Sequence, residues 1–279
     1  MAIYHLSVKT ISRSAGRSAT AAAAYRAGVE IADERTGEIH DYRRKGGIES
    51  AELVLPAGAP EWAADRAALW NAAEQAEKRK NSTVAREFEI ALPAELSPDE
   101  RQRLALDFAR ELVERHRCAA DVAIHAPGKG GDHHNHHAHI LLTTRRLTPE
   151  GFSEKTRELD DRKTKEVDGW RERFASLQNE RLRENGLEAR VDHRSHAERG
   201  IETAPTLHGV EQAVVSPAAI LLSENVQRWF SVRRGNPTRF DAHVLTLEGD
   251  RFCRGRGHVA KPVFADTFKP LNRTSSQGW

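Results

Sequence analysis

The chain has 279 residues, of which 30% are charged and 38% hydrophobic, and its formal net charge is only +2. This length is enough for one large domain, alone or with an appendage, and for a substantial core. A nearly neutral chain is not expected to coat nucleic acid nonspecifically, so any such contact has to come from local basic clusters. With only Cys118 and Cys253, the chain can form neither a disulfide framework nor a cysteine zinc knuckle.

The sequence gives no sign of a membrane segment or a secretion signal. No run of about 18 apolar residues occurs, and polar residues interrupt the N-terminus too early for the apolar core of a signal peptide. We therefore expect a cytoplasmic protein without membrane insertion. Any metal ion would have to be bound by His, Asp or Glu.

The N-terminal third predicts a strand, a helix and a hairpin. Polar and apolar residues alternate over residues 2–10, which is the period of a half-buried strand. Residues 12–27 are rich in Ala and free of Pro, which predicts a helix that stops at Gly28. Tyr25 then lies in the last turn of this helix. Residues 33–48 have the turn-forming composition of a loop around a short hairpin.

The middle of the chain predicts two more helices and a strand. Apolar residues at helical spacing follow Pro60 and indicate a helix that ends near Lys80. Residues 82–92 alternate as a strand, with Glu87 and Glu89 on one face. A capping box at Ser97 then opens the clearest helix of the chain.

Two further strands and a long helix complete the predicted fold. Residues 119–125 and 138–144 form an antiparallel hairpin with a wide loop, and residues 159–185 form the helix. Strands and helices alternate without regular βαβ order. The sequence therefore predicts an α+β fold, in which helices pack on an antiparallel sheet.

A dense group of histidines predicts a metal site on this hairpin. Residues two apart in a strand point to the same side, so His137 and His139 project together and His125 on the paired strand can face them. Three imidazoles leave positions open for a divalent ion that polarises an oxygen of a phosphate ester. The alternative is a surface loop that binds metal adventitiously. We expect the neighbouring His133, His134 and His136 to bind metal only in this adventitious way.

Chemistry at phosphorus would also need a nucleophile and a carboxylate. The chain has three tyrosines, Tyr4, Tyr25 and Tyr42, and a phenol can attack phosphorus when its pKa is lowered. Composition does not choose among them. Glu87 and Glu89 are candidates for accepting the phenol proton or for orienting a metal-bound histidine, unless they merely belong to an exposed strand face.

Short basic clusters are the candidate contacts with nucleic acid, although each alone is also typical of a solvated face. They occur at residues 43–45, 78–80, 145–146 and 233–234. The residues that we predict to contact DNA are Arg26, Arg43, Arg44, Lys45, Arg145 and Arg146.

Three motifs occur in order along the chain: SATAAAAYR at residues 18–26, AREFEIALP at residues 85–93 and HNHHAHILLTTR at residues 134–145. Together they resemble the MobA/MobL relaxases of mobilisable plasmids over about residues 1–208. The resemblance implies the antiparallel palm of an HUH-type relaxase. It also implies a nucleophile, a catalytic carboxylate, an arginine that neutralises phosphate charge and three metal ligands. These residues are, in that order, Tyr25, Glu87, Arg79 and the trio His125, His137 and His139.

The implied activity is site- and strand-specific nicking and rejoining of DNA at an origin of transfer, by transesterification through a 5′-phosphotyrosyl link. The implied cofactor is a divalent metal ion, Mg or Mn in the first place, with Zn, Ni or Co as alternatives. The implied partners are origin DNA, as a single strand with an adjacent hairpin or duplex, accessory mobilisation proteins and the coupling protein of a helper conjugative plasmid.

Residues 1–208 would form the relaxase domain, and residues 209–279 would be an extension: a DNA-binding tail, a poorly ordered segment or the product of a shifted reading frame. Two other functions remain open. One is a three-histidine initiator of rolling-circle replication, which shares the chemistry but acts at a different origin. The other is a noncatalytic sequence-specific DNA-binding protein, for which Tyr25→Phe would leave every function intact.

Overall fold

The computed structural model describes residues 3–128, 133–195 and 198–200. Its helices are α1 (Ala19–Ala27), α2 (Arg66–Ala76), α3 (Pro98–His116) and α4 (Glu166–Glu184). Its strands are β1 (Leu6–Ser12), β2 (Glu30–Ala32), β3 (Ile39–Asp41), β4 (Ile48–Val54), β5 (Thr83–Leu92), β6 (Ala120–His125), β7 (His136–Thr143), β8 (Arg145–Thr148) and β9 (Gly151–Lys155). Five of the strands form a sheet in the order β1-β5-β7-β6-β4, in which every neighbouring pair is antiparallel.

Helices α3 and α4 cover one face of this sheet. Phe108 of α3 meets two aromatic residues of α4, with ring centroids 5.7 Å from Trp170 and 4.9 Å from Phe174. Phe88 and Ile140, from neighbouring strands, complete this fully buried cluster. Each such side chain contributes about 1.5–3 kcal/mol through burial, so this layer holds much of the stabilising apolar surface.

Helices α1 and α2 cover the opposite face. The alanines of α1 are mostly buried and belong to the same cluster as Trp70 of α2 and Leu141 of β7. Small side chains let the helix axis approach the strands closely. Trp70 also donates a hydrogen bond from Nε1 to Asp121 on β6 at 3.0 Å, which fixes α2 to the sheet.

The alternation predicted for β5 is confirmed, and it decides where the site lies. Phe88 packs with the α3 side of the sheet, whereas Glu87 on the other face contacts Arg26 of α1 and His139 of β7. The face that carries α1 therefore also carries the polar residues of the two central strands. The predicted α+β architecture, with helices packed on an antiparallel sheet, is likewise confirmed.

Three predicted helices are shorter in the structure. A 3-10 turn occupies Arg13–Ala15 and ends at Gly16 with φ of +67°, so α1 begins only at Ala19. Helix α2 ends at Ala76 because Glu77 leaves the helix, and its buried carboxylate binds Arg145 and Lys155, each at 2.8 Å. Helix α4 begins at Glu166, after two short 3-10 turns.

The structure also contains elements that the sequence patterns did not predict. These are the edge strand β4 and the hairpin of β8 and β9. The proposed domain boundary at 208, the extension 209–279 and the basic pair at 233–234 lie outside the described residues. Within the described ranges, no helix is both long and apolar enough to cross a membrane.

Candidate metal and nucleophile site

The three histidines predicted as metal ligands come together on the central strands. His125 ends β6 and lies directly across from His137 of β7, and His139 follows two residues later on the same side. The ring centroids of His125 lie 5.4 Å from His137 and 4.7 Å from His139, and the last two rings are 5.2 Å apart. One nitrogen from each ring lies within 4.8 Å of the others, which is close enough to share one ion.

In each of these rings, one nitrogen is held by a second group. Such a bond fixes the orientation and tautomer of a metal-binding histidine and leaves the other nitrogen available to the ion. The bonded pairs are His125 Nε2 with the carbonyl oxygen of Arg26 at 2.8 Å, His137 Nδ1 with the carbonyl oxygen of Asn135 at 3.0 Å, and His139 Nδ1 with Glu87 Oε1 at 2.7 Å. The donor set therefore fits a divalent ion with open coordination positions.

Burial keeps at least two of the candidate ligands neutral. It lowers the pKa of His125 to about 4, against a smaller opposing effect of the hydrogen bond to Arg26, and the charge of Lys45 lowers it further. The pKa of His137 is also lowered, chiefly by burial. An imidazole must be unprotonated to bind a metal ion, so both rings are ready to do so at neutral pH.

Glu87 is a buried carboxylate with two charged or polar partners. Arg26 donates to both of its oxygens, with Nη2 2.7 Å from Oε2, and His139 binds Oε1. Burial raises the pKa of Glu87, but the hydrogen bonds from His139 and Arg26 outweigh it and bring the pKa to about 2. Glu87 therefore stays ionised at neutral pH. Glu89, two residues on, is ion-paired with Lys9 at the more exposed side.

Tyr25 lies in the last turn of α1, as predicted, and its side chain is 48% exposed. Its ring is held from two sides. The Nζ of Lys45 lies 3.8 Å from the ring centroid, and the Tyr42 ring meets it edge-on at 5.2 Å. The next residue, Arg26, binds His125 through its carbonyl and Glu87 through its guanidinium. The peptide that carries Tyr25 is thus attached directly to the histidine trio.

Gly28 ends α1 where the helix meets the sheet. Its φ of +65° is a conformation that costs other residues free energy, and a Cβ at this position would lie 2.4 Å from Cδ1 of Ile48. Ile48 is itself paired with His125 across the β4–β6 ladder. The glycine therefore permits the close approach that brings the end of α1 to the histidines.

The other two tyrosines are placed differently. Tyr4 donates its phenolic proton to the carbonyl oxygen of Arg171 at 2.9 Å, and burial raises its pKa. A buried phenol of raised pKa is a poor nucleophile. Tyr42 is half-buried and packs its edge against Tyr25.

Most of the arginines predicted to contact DNA have acidic partners. Arg26 faces Glu87, Arg145 pairs with Glu77, and the remaining pairs are Arg43 with Asp41 and Glu30, and Arg146 with Glu154 and Glu158. Lys45 lies over the Tyr25 ring. Over the described part of the chain, Arg44 is the one member of the predicted set that is exposed with no recorded hydrogen bond or ion pair of its side chain, although its charge lowers the pKa of Asp41.

Arg79 is not brought to the trio by any contact that the structure records. It is exposed just beyond α2, and its carbonyl oxygen accepts hydrogen bonds from Arg13 Nη1 at 3.1 Å and from the backbone N–H of Ser82 at 3.3 Å. The arginine beside the catalytic carboxylate candidate is Arg26, which the sequence patterns placed with the DNA-contacting residues. The role of Arg79 stays a prediction.

Sequence reasoning missed a cleft of about 1120 Å³ beside Tyr25. Its basic residues come from segments far apart in the chain, so only the cluster at 78–80 and the predicted DNA contact Arg26 gave a signal. The basic residues that line it are Arg13, Arg17, Arg26, Arg35, Lys78 and Lys80.

Comparison with known proteins finds relatives that are named mobilization proteins. A mobilization protein MobL from Acidithiobacillus ferridurans is 49% identical over 236 residues, covering 75% of this chain and 62% of the relative. A probable mobilization protein MobA from Bifidobacterium longum is 33% identical over 278 residues, covering 85% of this chain and 48% of the relative. The chain therefore spans less than two thirds of either relative.

A solved structure described as the molecular basis of vancomycin resistance transfer in Staphylococcus aureus is also similar. It is 34% identical with a TM-score of 0.63, covering 70% of this chain and all of that one. The model of the MobA/MobL family matches residues 17–215, which is well over half of the chain. The resemblance drawn from the three motifs is thus confirmed, and the chain belongs to the MobA/MobL family.

Proposed function

We propose that this protein is a mobilisation relaxase, which cuts one DNA strand at an origin of transfer with Tyr25 and rejoins it later. The observation that carries the proposal is the position of Arg26. Its carbonyl binds His125 and its guanidinium binds Glu87, so the residue next to Tyr25 is fixed to the candidate metal ligands. The names of the relatives, which are mobilization proteins, support the same activity.

The reaction is a transesterification with balanced bonds. The phenolic oxygen of Tyr25 attacks the phosphorus, an O–P bond forms, and the bond between phosphorus and the 3′-oxygen of the preceding nucleotide breaks. The phenol loses its proton and the departing oxygen gains one. Because one phosphodiester replaces another, the step needs no ATP, and attack by the 3′-hydroxyl reverses it.

The histidine trio would hold one divalent ion, of which Mg or Mn suits a phosphate substrate and Zn, Ni or Co suits the imidazole donors. When bound, such an ion draws charge from a nonbridging phosphate oxygen and orients the scissile bond. The contribution of the chain is to hold the three rings in fixed orientations and to keep His125 and His137 neutral.

Glu87 acts in this scheme as an orienting carboxylate. A group with a pKa of about 2 is a weak base at neutral pH, because proton acceptance is most efficient when the pKa lies near the working pH. It stays charged instead, fixes the ring of His139 and holds Arg26. The proton of the Tyr25 phenol then leaves to water or to another group at the exposed side of the ring.

The proposed substrate is origin-of-transfer DNA, bound as a single strand with an adjacent hairpin or duplex. Exposed Arg44 is a candidate for contacts that position the phosphates, and affinity from such contacts depends strongly on salt. The proposed partners are accessory mobilisation proteins and the coupling protein of a helper conjugative plasmid, and the proposed place of action is the cytoplasm.

The test is the capture of the covalent intermediate. Purified protein is incubated with Mn and single-stranded oligonucleotides tiled across the origin region of the plasmid that encodes it. We expect a labelled adduct that survives denaturation and is lost with EDTA and with Tyr25→Phe, but not with Tyr42→Phe. Adduct formation by Tyr25→Phe would refute the nucleophile assignment.

The same experiment distinguishes the two alternative functions. Sequence-specific binding without any adduct would support a noncatalytic DNA-binding protein. An adduct only at a replication origin would support a replication initiator.

A further inference from the structure

The cleft beside Tyr25 follows one side of α1. Four residues of its lining, Ser18, Ala21, Ala22 and Tyr25, have the spacing of a single helical stripe. At about 1.5 Å of rise per residue, this stripe is about 10 Å long. The volume of about 1120 Å³ exceeds the ~300–1,000 Å³ typical of a small-molecule site. A stripe of this length along one helix, with Tyr25 at its end, suits an extended chain that ends at the phenol.

The charge of the lining suits a polyanion. Arg17, Lys78 and Lys80 are exposed, and in the described ranges their side chains have no recorded ion pair or hydrogen bond. They are free to bind a ligand. Of the two acidic residues in the lining, Asp33 already accepts hydrogen bonds from the Thr20 hydroxyl and from backbone N–H groups.

Other basic residues of the cleft are held in place by a buried carboxylate. Arg13 binds Glu74 through Nε at 2.9 Å and Nη2 at 2.6 Å, and Arg35 approaches the same carboxylate at 3.5 Å. Glu74 also accepts a hydrogen bond from the backbone N–H of Ala19, which opens α1. The basic wall is thus fixed to the helix that carries Tyr25.

The lining also offers flat rings. Tyr42 and His40 both line the cleft, together with the small side chains of Ala21 and Ala22. Unpaired bases stack on such rings, and a basic track with stacking rings is the usual composition of single-strand sites.

The cleft begins on one particular side of the reaction centre. Tyr25 and Arg26 line it, whereas none of His125, His137 and His139 does. In a displacement at phosphorus the attacking and leaving oxygens are in line, on opposite sides of the phosphorus atom. The nucleotide that departs with the 3′-hydroxyl therefore lies away from the phenol, and so away from the cleft. The strand that stays joined to the phenol leaves phosphorus through an equatorial 5′-oxygen, so it is free to turn into the cleft beside Tyr25.

We propose that this cleft holds the first nucleotides on the 3′ side of the nick, the segment that stays covalently attached to Tyr25 through its 5′ phosphate. The proposal rests on the relaxase function proposed above. Arg17, Lys78 and Lys80 bind its phosphates, and Tyr42 and His40 contact its bases. By holding this segment after cleavage, the cleft keeps the phosphotyrosyl group in place for rejoining.

The first test uses a single-stranded oligothymidine of roughly twelve nucleotides, within the usual site size, and measures affinity over a range of salt. The variant is Arg17→Glu with Lys78→Glu and Lys80→Glu. The matched control is Arg157→Glu with Arg162→Glu and Lys163→Glu, which has the same change of charge at exposed positions outside the cleft. Three lost phosphate contacts reduce the salt slope by about 2 and the affinity by roughly tenfold. Equal losses in the two variants would overturn the proposal.

The second test assigns the side of the nick. Substrates that give the Tyr25 adduct are shortened from either end, and KM for adduct formation is measured. Shortening the 3′ side should raise KM in the wild-type protein but have little effect in the cleft variant, whereas shortening the 5′ side should raise KM in both. If the cleft variant responds to 3′ shortening as the wild type does, the assignment is wrong.

The two proposals fail in different ways. Absence of any adduct in wild-type protein would count against the relaxase function. In that case the oligothymidine measurement still decides whether the cleft binds single strands. A normal adduct with unchanged salt slope in the cleft variant would refute the cleft assignment alone.

Discussion

Lys45 holds Tyr25 by two contacts: its Nζ lies 3.8 Å from the centroid of the tyrosine ring and donates a hydrogen bond to the Tyr25 carbonyl oxygen at 3.0 Å. Burial lowers the pKa of Lys45, and the charge of Arg26 lowers it further. The lysine was predicted to contact DNA, and its position in the structure gives it a second candidate role. A cation over the ring is attracted to its face and so orients the phenol.

We expect Lys45→Met to slow adduct formation by about fivefold, because a cation–π contact contributes about 0.5–2 kcal/mol. The rate constant should be measured at saturating oligonucleotide, so that weaker DNA binding does not contribute. Lys45→Arg should recover part of the rate, since it restores a cation. Lys163→Met, at an exposed position far along the chain, is the control. An unchanged rate constant in Lys45→Met would show that the contact has no part in the reaction.

We expect Glu87→Gln to weaken binding of Mn or Zn by about 10- to 100-fold, because the carboxylate that fixes His139 is lost. Calorimetric titration of the purified protein with each metal measures this directly. Glu89→Gln, on the same strand face, should have a smaller effect because Glu89 is ion-paired with Lys9. Equal affinities in Glu87→Gln and wild type would contradict the orienting role.

We expect His116 to make the fold less stable in acid. Its ring is buried, Trp170 Nε1 donates to its Nε2 at 2.9 Å, and Glu158 binds its Nδ1 at 3.0 Å. Burial lowers the pKa of His116, while Glu158 and Glu166 oppose this shift and Arg115 adds to it. The neutral form is thus favoured in the folded state.

The pH dependence of stability follows from proton uptake by the unfolded chain. Below the ordinary histidine pKa of about 6.5 the unfolded chain binds a proton that folded His116 does not, so the free energy of unfolding falls as the pH falls toward the lowered value. Between about pH 7.5 and about pH 5.5, wild-type protein should lose more stability than His116→Gln in urea denaturation, by at most about 1.4 kcal/mol per pH unit for one proton. Parallel losses in the two proteins would exclude this residue as a cause of acid sensitivity.

We expect Gly28→Ala to destabilise the fold by roughly 2 kcal/mol or more, because the left-handed backbone is strained for alanine and its Cβ would meet Ile48. Thermal or urea unfolding measures the loss. The double variant with Ile48→Ala removes the clash but not the backbone strain. If Gly28→Ala costs less stability in the Ile48→Ala background than in the wild-type protein, the difference measures the clash and the remainder measures the backbone strain. An equal cost in both backgrounds would mean that the two residues do not conflict.

The sequence was sufficient to predict the family and the α+β architecture, both of which are confirmed. The three histidines could be predicted as a group because their proximity depends on local strand geometry. His137 and His139 are two apart on one strand, and the antiparallel hairpin brings His125 opposite them. Such short-range patterns depend only on strand geometry.

The surroundings of the trio depend on contacts that no local pattern shows. Arg26 and Glu87 are 61 residues apart and meet only because α1 crosses the sheet face that carries Glu87. The helix predicted to reach Lys80 ends early because Glu77 has partners near β8 and β9, which the sequence did not reveal. In both places tertiary contacts override the local pattern, which allowed an exposed strand face at Glu87 and a continued helix at Glu77.

The attachment of α1 through Arg26 has a mechanical consequence. If a long DNA strand linked to Tyr25 were pulled, the force would enter the protein at the last turn of α1. Arg26 would pass it to His125 on β6 and Glu87 on β5, strands with a hydrogen-bonded neighbour on each side. The load would thus be shared by several ladders at once rather than peeling a single edge strand.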